Sequence, residues 1–141
     1  MARIKSKRKE EEAFDHIAEI IDNIRCESNE GAVIVVEGKK DERVLRSLGI
    51  KGRIVKYSEA GRMKATKAIE DFWKEKIIVL TDFDPEGEKI LRTVEKASTQ
   101  NGVNVDKYLR KRLFEAVHLY TSTLEGLERI AERVMERRPI G

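Results

Sequence analysis

Runs of apolar residues alternate along the chain with amphipathic stretches, which predicts strands that alternate with helices. Two continuous runs rich in Ile and Val, at 32–36 and 77–80, are typical of strands buried on both faces. A weaker strand is predicted over 53–57, near a sheet edge, and a short one over 103–105. This order predicts an α/β fold with a central parallel sheet of about four strands and helices on both faces.

Apolar residues spaced three or four positions apart predict the helices between these strands. One helix begins at Pro85, which suits a first helical position, and another follows Asp106 as its N-cap. Ser122 and Glu125 form a capping-box pattern that predicts the start of the last helix, and Pro139 ends it. The predicted helices cover about 10–28, 40–48, the stretch after Gly61 to Lys74, 85–101, 106–116 and 122–138.

The composition narrows the class of protein. The 141 residues predict a single domain over 1–141, and charged residues make up 39% of them. No apolar run reaches the ~18 residues that cross a bilayer, and the charged N-terminus lacks the apolar stretch of a signal peptide, so we expect a cytoplasmic protein without membrane contact. A single cysteine excludes internal disulfides and CxxC metal sites. Dense charge with few glutamines and asparagines favours a thermophile source.

Acidic residues follow both buried strands. The first strand ends in Glu37, and the second is followed by acids at 82, 84, 86 and 88. Because ligands bind beyond the carboxyl ends of parallel strands, these carboxylates would converge if the two strands are neighbours. Oxygen ligands of this kind favour a hard cation such as Mg²⁺, held by Asp82 and Asp84 with Glu86 as a further ligand.

The acids also fit two other interpretations. Asp84 stands just before Pro85, where an N-cap belongs, so one such acid alone would favour a cap. Four acids facing a fifth favour a metal site instead. The pattern also imitates the start of a calcium loop, but the twelfth position would be Thr93 instead of the required Glu, which excludes an EF-hand.

Basic residues cluster in three places: the first nine residues, the stretch 51–67, and 107–112. Such clusters are either solvated faces or contacts with nucleic acid. Gly38 lets the backbone N–H groups approach a ligand closely, and Lys39 and Lys40 lie beside it. The predicted phosphate and nucleic-acid contacts are Gly38, Lys39, Lys40, Arg62, Lys64 and Lys67, with Lys107, Arg110 and Lys111 as a second surface.

Two segments, VIVVEGKKD at 33–41 and IVLTDFDPEGEKI at 78–90, resemble the two signatures of the TOPRIM domain. That domain is shared by type IA and type II topoisomerases, bacterial primases, a group of nucleases and the RecR proteins. The sequence looks closest to small standalone TOPRIM proteins and ribosomal-RNA-maturing ribonucleases. The resemblance covers about 31–105 and implies a TOPRIM-like (Rossmann-like) sheet with extra terminal helices, at about 10–28 and 106–138.

The resemblance implies a role for each matched acid. Asp82 and Asp84 would coordinate Mg²⁺, for which Mn²⁺ can substitute, with Glu86 assisting. Glu37 would act as general acid or base in phosphodiester chemistry. With 141 residues, neither a complete topoisomerase nor a complete primase is expected.

Two functions therefore stay open. One is a Mg²⁺-dependent nuclease for structured RNA or DNA, with a role in RNA processing or DNA repair; the other is a non-catalytic TOPRIM module for nucleic-acid binding or assembly. The amphipathic terminal helices suggest a homodimer. Arg129, Arg133 and Arg137 form a stripe on the last helix that faces a phosphate backbone or, as we favour, pairs with Glu125, Glu132 and Glu136.

Overall fold

The sheet of the computed structural model has four parallel strands in the order β2-β1-β3-β4. The structure describes residues 2–58, 67, 70, 71 and 74–136, and side chains from residue 8 onward. The strands are β1 (Val33–Val36), β2 (Ile54–Lys56), β3 (Ile77–Val79) and β4 (Val105–Asp106). The predicted α/β fold, the strand number and the edge position of β2 are confirmed, while β4 begins later than the predicted 103–105.

Helices connect and flank the strands. Within the described residues none is both long and apolar enough to cross a membrane. The predicted helix between Gly61 and Lys74 lies largely outside the described residues, as do Arg62 and Lys64. The helices are α1 (Ala2–Asn29), α2 (Lys39–Ser47), α3 (Pro85–Asn101), α4 (Tyr108–Val117), a 3₁₀ turn (Glu125–Leu127) and α5 (Glu128–Met135).

The core has two parts, one on each face of the sheet, because successive strand residues point to opposite faces. Ile34, Val36 and Leu80 face a cluster with side chains of α1, α2, α4 and α5. Val33 and Val79 face the second cluster, in which α3 supplies the apolar side chains. Helices therefore cover both faces, as the buried β-branched runs predict.

The terminal helices pack against each other within one chain. The apolar stripe of α1 is fully buried, as Phe14 and Ile17 show. Arg133 on α5 forms an ion pair with Glu10 of α1, and its guanidinium lies 4.2 Å from the Phe14 ring centroid. This pairing joins two helices, whereas the sequence favoured pairs within the last helix. The homodimer stays a prediction.

Two helix starts near the C-terminus differ in how well the sequence predicts them. Asp106 caps α4 as expected, since its Oδ1 accepts the N–H groups of Tyr108 and Leu109 at 2.8 and 3.1 Å. The prediction of a capping box at Ser122 is wrong. Thr123 Oγ1 instead accepts the N–H of Gly126 at 3.0 Å, and a 3₁₀ turn precedes α5.

The strand order determines where a ligand would bind. From β1 the chain crosses to β2 on one side, and from β2 it crosses over β1 to β3 on the other side. The carboxyl ends of β1 and β3 therefore form the switch point of the sheet, where open α/β folds bind their ligands. Both predicted acidic motifs follow these two strands.

Candidate active site at the carboxyl edge of the sheet

The ends of three neighbouring strands bring the site together. The register pairs Val35 of β1 with Val79 of β3, and Leu80 N–H donates to the Val35 carbonyl at 2.9 Å. Glu37 therefore lies beside the segment that begins at Thr81. Ser58, two residues beyond β2, donates its N–H to the Glu37 carbonyl at 2.8 Å.

The loop after β3 packs closely on the first turn of α3. Asp84 caps the helix, because its Oδ1 accepts the N–H of Gly87 at 2.8 Å, which is the alternative that its place before Pro85 offered beside the metal site. The Thr81 hydroxyl donates to the Gly87 carbonyl at 2.8 Å. A Cβ on residue 87 would lie 1.8 Å from the Asp82 carbonyl oxygen, so only glycine fits there. The glycine in this motif thus permits the contact that holds Asp82 and Asp84 in place.

Arg110 of α4 fixes the same loop from the other side, and the sequence analysis missed this role. Its guanidinium donates to the carbonyls of Thr81 and Asp82 at 2.8 and 2.6 Å and to Glu88 Oε1 at 2.9 Å. Its side chain is only 3% exposed. Because this side chain is buried, the prediction that Arg110 contacts nucleic acid is wrong. A solvated arginine and a buried one have the same local sequence pattern, so the sequence could not distinguish them.

The segment before α5 also contacts the loop. Leu124 N–H donates to Asp82 Oδ1 at 2.7 Å, and Phe83 N–H donates to the Ser122 carbonyl at 3.0 Å. The contact to Asp82 crosses more than forty residues of sequence, which no local pattern signals. One oxygen of Asp82 is thus oriented by a part of the chain outside the predicted core.

The carboxylates at this edge disfavour one another's charge. Burial raises the pKa of Glu37, and the nearby charges of Asp82, Asp41, Asp84 and Glu86 raise it further. Burial also raises the pKa of Asp82, although the hydrogen bond from Leu124 lowers it in part. This excess of negative charge would be relieved by a bound cation.

Asp41 belongs to the same acidic cluster, although the sequence analysis did not single it out. It is buried, and its Oδ2 accepts the N–H of Gly38 at 3.0 Å. Burial raises the pKa of Asp41, and that hydrogen bond lowers it only in part. Its position at the third residue of α2 could have suggested a helix cap, but nothing in the sequence signals its closeness to Asp82.

The carboxylate oxygens at this edge are ligands of the kind that Mg²⁺ prefers, but only a few of them are available to bind it. Within the described part of the chain no three acidic, histidine or cysteine side chains are already grouped as metal ligands. Asp82 and Asp84 each keep a second carboxylate oxygen, and Mg²⁺ is commonly bound by one or two carboxylates, with water and substrate phosphate completing its shell. Glu86 is exposed, and Glu88 is paired with Arg110.

The predicted phosphate-binding residues have different surroundings. Gly38 is extended, with a φ of −155° that any residue can adopt, and its N–H is taken by Asp41. Lys39 and Lys67 are exposed, and Lys40 lies 3.9 Å from Glu125. Arg62 and Lys64 fall outside the described residues.

Known proteins are similar to this chain in sequence, and a solved structure is similar in fold. The chain is 32% identical to a UPF0292 protein of Archaeoglobus fulgidus over 87% of this chain and 95% of the relative. It is 27% identical to a UPF0292 protein of Methanocaldococcus jannaschii, over 90% and 96% of the two chains. A solved structure of a putative protein from Aquifex aeolicus superposes with a TM-score of 0.65 and 28% identity, over 76% of this chain and 94% of that one.

The family model of the Toprim domain matches residues 31–109. The match includes Glu37 and the acidic motif at 82–88, and it confirms the resemblance stated from those residues. Toprim domains generally bind Mg²⁺ and have functions related to nucleic acids. The chain therefore belongs to the Toprim domain family.

Proposed function

We propose that this protein is a small Mg²⁺-dependent nuclease that hydrolyses phosphodiester bonds in structured RNA or DNA. The observation that carries the proposal is the meeting of Glu37 with Asp82 and Asp84 at adjacent strand ends. A site of this kind needs a positioned water, a cation and one group that exchanges a proton.

The acids would divide the work between them. Asp82 and Asp84 would hold the cation, with Glu86 as a further ligand. When bound, Mg²⁺ would stabilise the negative charge that develops on the phosphate. Glu37 would either take a proton from the attacking water or give one to the leaving oxygen. Burial and the neighbouring acids raise the pKa of Glu37, which supports a role in proton transfer.

Basic residues around the acidic edge would bind the phosphates on either side of the cleaved bond. Lys39 and Lys40 begin α2 directly after Glu37 and Gly38. Lys67 is exposed, and with Arg62 and Lys64 it makes up the predicted basic surface. Binding through such residues weakens steeply with salt because neutralised phosphates release their counterions.

A non-catalytic binding or assembly module is the second candidate. The contact from Leu124 N–H to Asp82 Oδ1 favours it, because this oxygen is already engaged by the protein. Asp84 Oδ1 is engaged in the same way by Gly87 N–H. In such a module the acidic edge would organise a contact without cleaving the substrate.

Cleavage of labelled nucleic acids separates the two candidates. Structured RNA, single-stranded DNA and double-stranded DNA are incubated with the protein in Mg²⁺, Mn²⁺ or EDTA. We expect cleavage that requires the metal and falls by about 10²–10⁴-fold in Glu37→Gln, the usual contribution of a general acid or base. Substrate affinity should change little, since glutamine keeps the shape of the side chain.

Glu30→Gln is the matched control, because Glu30 is exposed and precedes β1 at the opposite end of the sheet. It should cleave at the wild-type rate. If the wild-type protein cleaves none of the substrates, or Glu37→Gln cleaves as fast as wild type, the nuclease proposal fails and the binding module replaces it.

A further inference from the structure

A cavity of about 460 Å³ opens beside Glu37, between the ends of β1 and β2 and the first turns of α3. Its volume falls within the range of ordinary ligand pockets, about 300–1,000 Å³. The hydrogen bond from Ser58 N–H to the Glu37 carbonyl holds the residues after β2 beside the main chain of Glu37. The lining residues that matter here are Glu37, Tyr57, Ser58, Glu86, Lys89 and Ile90.

We propose that this cavity binds one nucleotide of the substrate strand, next to the phosphate that is cleaved, with Lys89 on its phosphate and Tyr57 against its base. The proposal rests on the proposed function and specifies how the same site holds its substrate. It adds two residues, Tyr57 and Lys89, to the residues expected to contact nucleic acid.

Among the described residues that line the cavity, Lys89 supplies the cation, beside the carboxylates of Glu37 and Glu86. It is exposed on α3, one turn after Glu86, and lines the cavity. Within the described part of the chain Lys89 forms no ion pair, whereas Lys40 and Lys56 both lie within 4.0 Å of an acid. Its ammonium group can therefore bind a phosphate without first leaving a protein partner.

Tyr57 supplies a surface on which a base can stack. It is half-buried and packs against the core cluster under α3, so its ring is supported from the protein side. Stacking on aromatic rings is sequence-tolerant because every base has a π-face. Ile90 adds apolar surface, and the carboxylates of Glu37 and Glu86 can accept hydrogen bonds from sugar hydroxyls.

Binding is tested in EDTA, where metal-dependent cleavage does not occur, by NMR titration with 5′-phosphorylated RNA and DNA tetranucleotides. We expect Tyr57→Leu to weaken binding about tenfold and Tyr57→Phe less than about twofold, because phenylalanine keeps the stacking ring. Lys89→Ala should weaken binding about fivefold at low salt and flatten the salt dependence. Lys96→Ala is the matched control, an exposed lysine two turns further along α3 that does not line the cavity.

Two further ligands identify what the cavity recognises. A tetranucleotide backbone without bases should bind about tenfold more weakly to wild type and show no additional loss in Tyr57→Leu. The proposal is overturned if this abasic ligand binds as tightly as its parent, or if Lys89→Ala and Lys96→Ala weaken binding equally. A free nucleoside monophosphate that binds as tightly as the tetranucleotide would overturn the assignment to a strand.

These outcomes are independent of the nuclease proposal. Binding in EDTA that depends on Tyr57 and Lys89 supports the nucleotide cavity even if no substrate is cleaved. Cleavage that requires Glu37 but binding that ignores Tyr57 and Lys89 would overturn the cavity assignment alone.

Discussion

The two acidic strand ends are built differently, although they face each other across one edge of the sheet. The loop after β3 is held by Arg110, by Leu124 N–H and by its close contact with Gly87. In the described part of the chain, the Glu37 carboxylate accepts no hydrogen bond, and burial and the nearby acids raise its pKa. Metal ligands need fixed oxygens, whereas a group that transfers protons must be free to take one up and release it.

The contrast between the two ends predicts that replacing Arg110, which holds the loop after β3, lowers the stability of the protein strongly. In Arg110→Met the buried carbonyl of Thr81 and the partly buried carbonyl of Asp82 lose their donors, each at a cost of about 1–3 kcal/mol. We expect the free energy of unfolding, measured by urea denaturation, to fall by about 3 kcal/mol. Arg110→Lys should recover only part of this loss, because one ammonium cannot reproduce the planar fork.

Lys111→Met is the control for this change, since Lys111 is exposed on the same helix and its nearest acid, Glu115, is 4.0 Å away. It should change stability by less than about 0.5 kcal/mol. If Arg110→Met is as stable as the wild type, Arg110 does not hold the loop after β3 in the way we describe.

The sequence predicted those parts of the site that follow from local pattern. Buried runs located β1 and β3, and the order of elements implied a parallel sheet. The place of Asp84 before Pro85 offered a helix cap as an alternative to a metal ligand, and the structure has that cap. Each of these depends on residues a few positions apart. The convergence of Glu37 with Asp82 then followed from general rules for parallel sheets.

The contacts that the sequence missed join segments far apart in the chain. Arg110 reaches Thr81 across 29 residues, and Arg133 pairs with Glu10 at the other end of the chain. A buried arginine and a solvated one have the same local pattern, and only the packing of α4 on the sheet distinguishes them. The predicted capping box at Ser122 does not form, and the hydroxyl of the neighbouring Thr123 accepts the N–H of Gly126 instead.

A smaller effect on stability than that of Arg110 is expected from the excess of negative charge around Glu37. Burial raises the pKa of Asp41 above its ordinary value of 3.8, so the folded protein keeps this proton to higher pH than the unfolded chain does. The contribution of Asp41 to stability is therefore greatest below pH 3.8 and falls as the pH rises through the folded pKa. Asp41→Asn should gain stability relative to wild type between about pH 4 and pH 7.

Urea denaturation at several pH values measures this difference. Asparagine keeps an oxygen that can accept the Gly38 N–H, so the variant should retain the start of α2. The exposed Glu30, changed to Gln, should show no such pH-dependent gain if burial at the site is the cause. If the free energies of unfolding of wild type and Asp41→Asn differ by the same amount at every pH in this range, the raised pKa of Asp41 does not affect stability as we expect.

Mn²⁺ titration followed by paramagnetic broadening of backbone amide signals tests most directly whether the two strand ends form one metal site. We predict that the amides at 37–41, 81–84 and 86 broaden together, with affinity on the order of millimolar because such a site offers few protein ligands. Glu37→Gln should bind Mn²⁺ as the wild type does, whereas the Asp82→Asn, Asp84→Asn double variant should not. Undiminished binding by the double variant, or broadening confined to one strand end, would contradict a shared site.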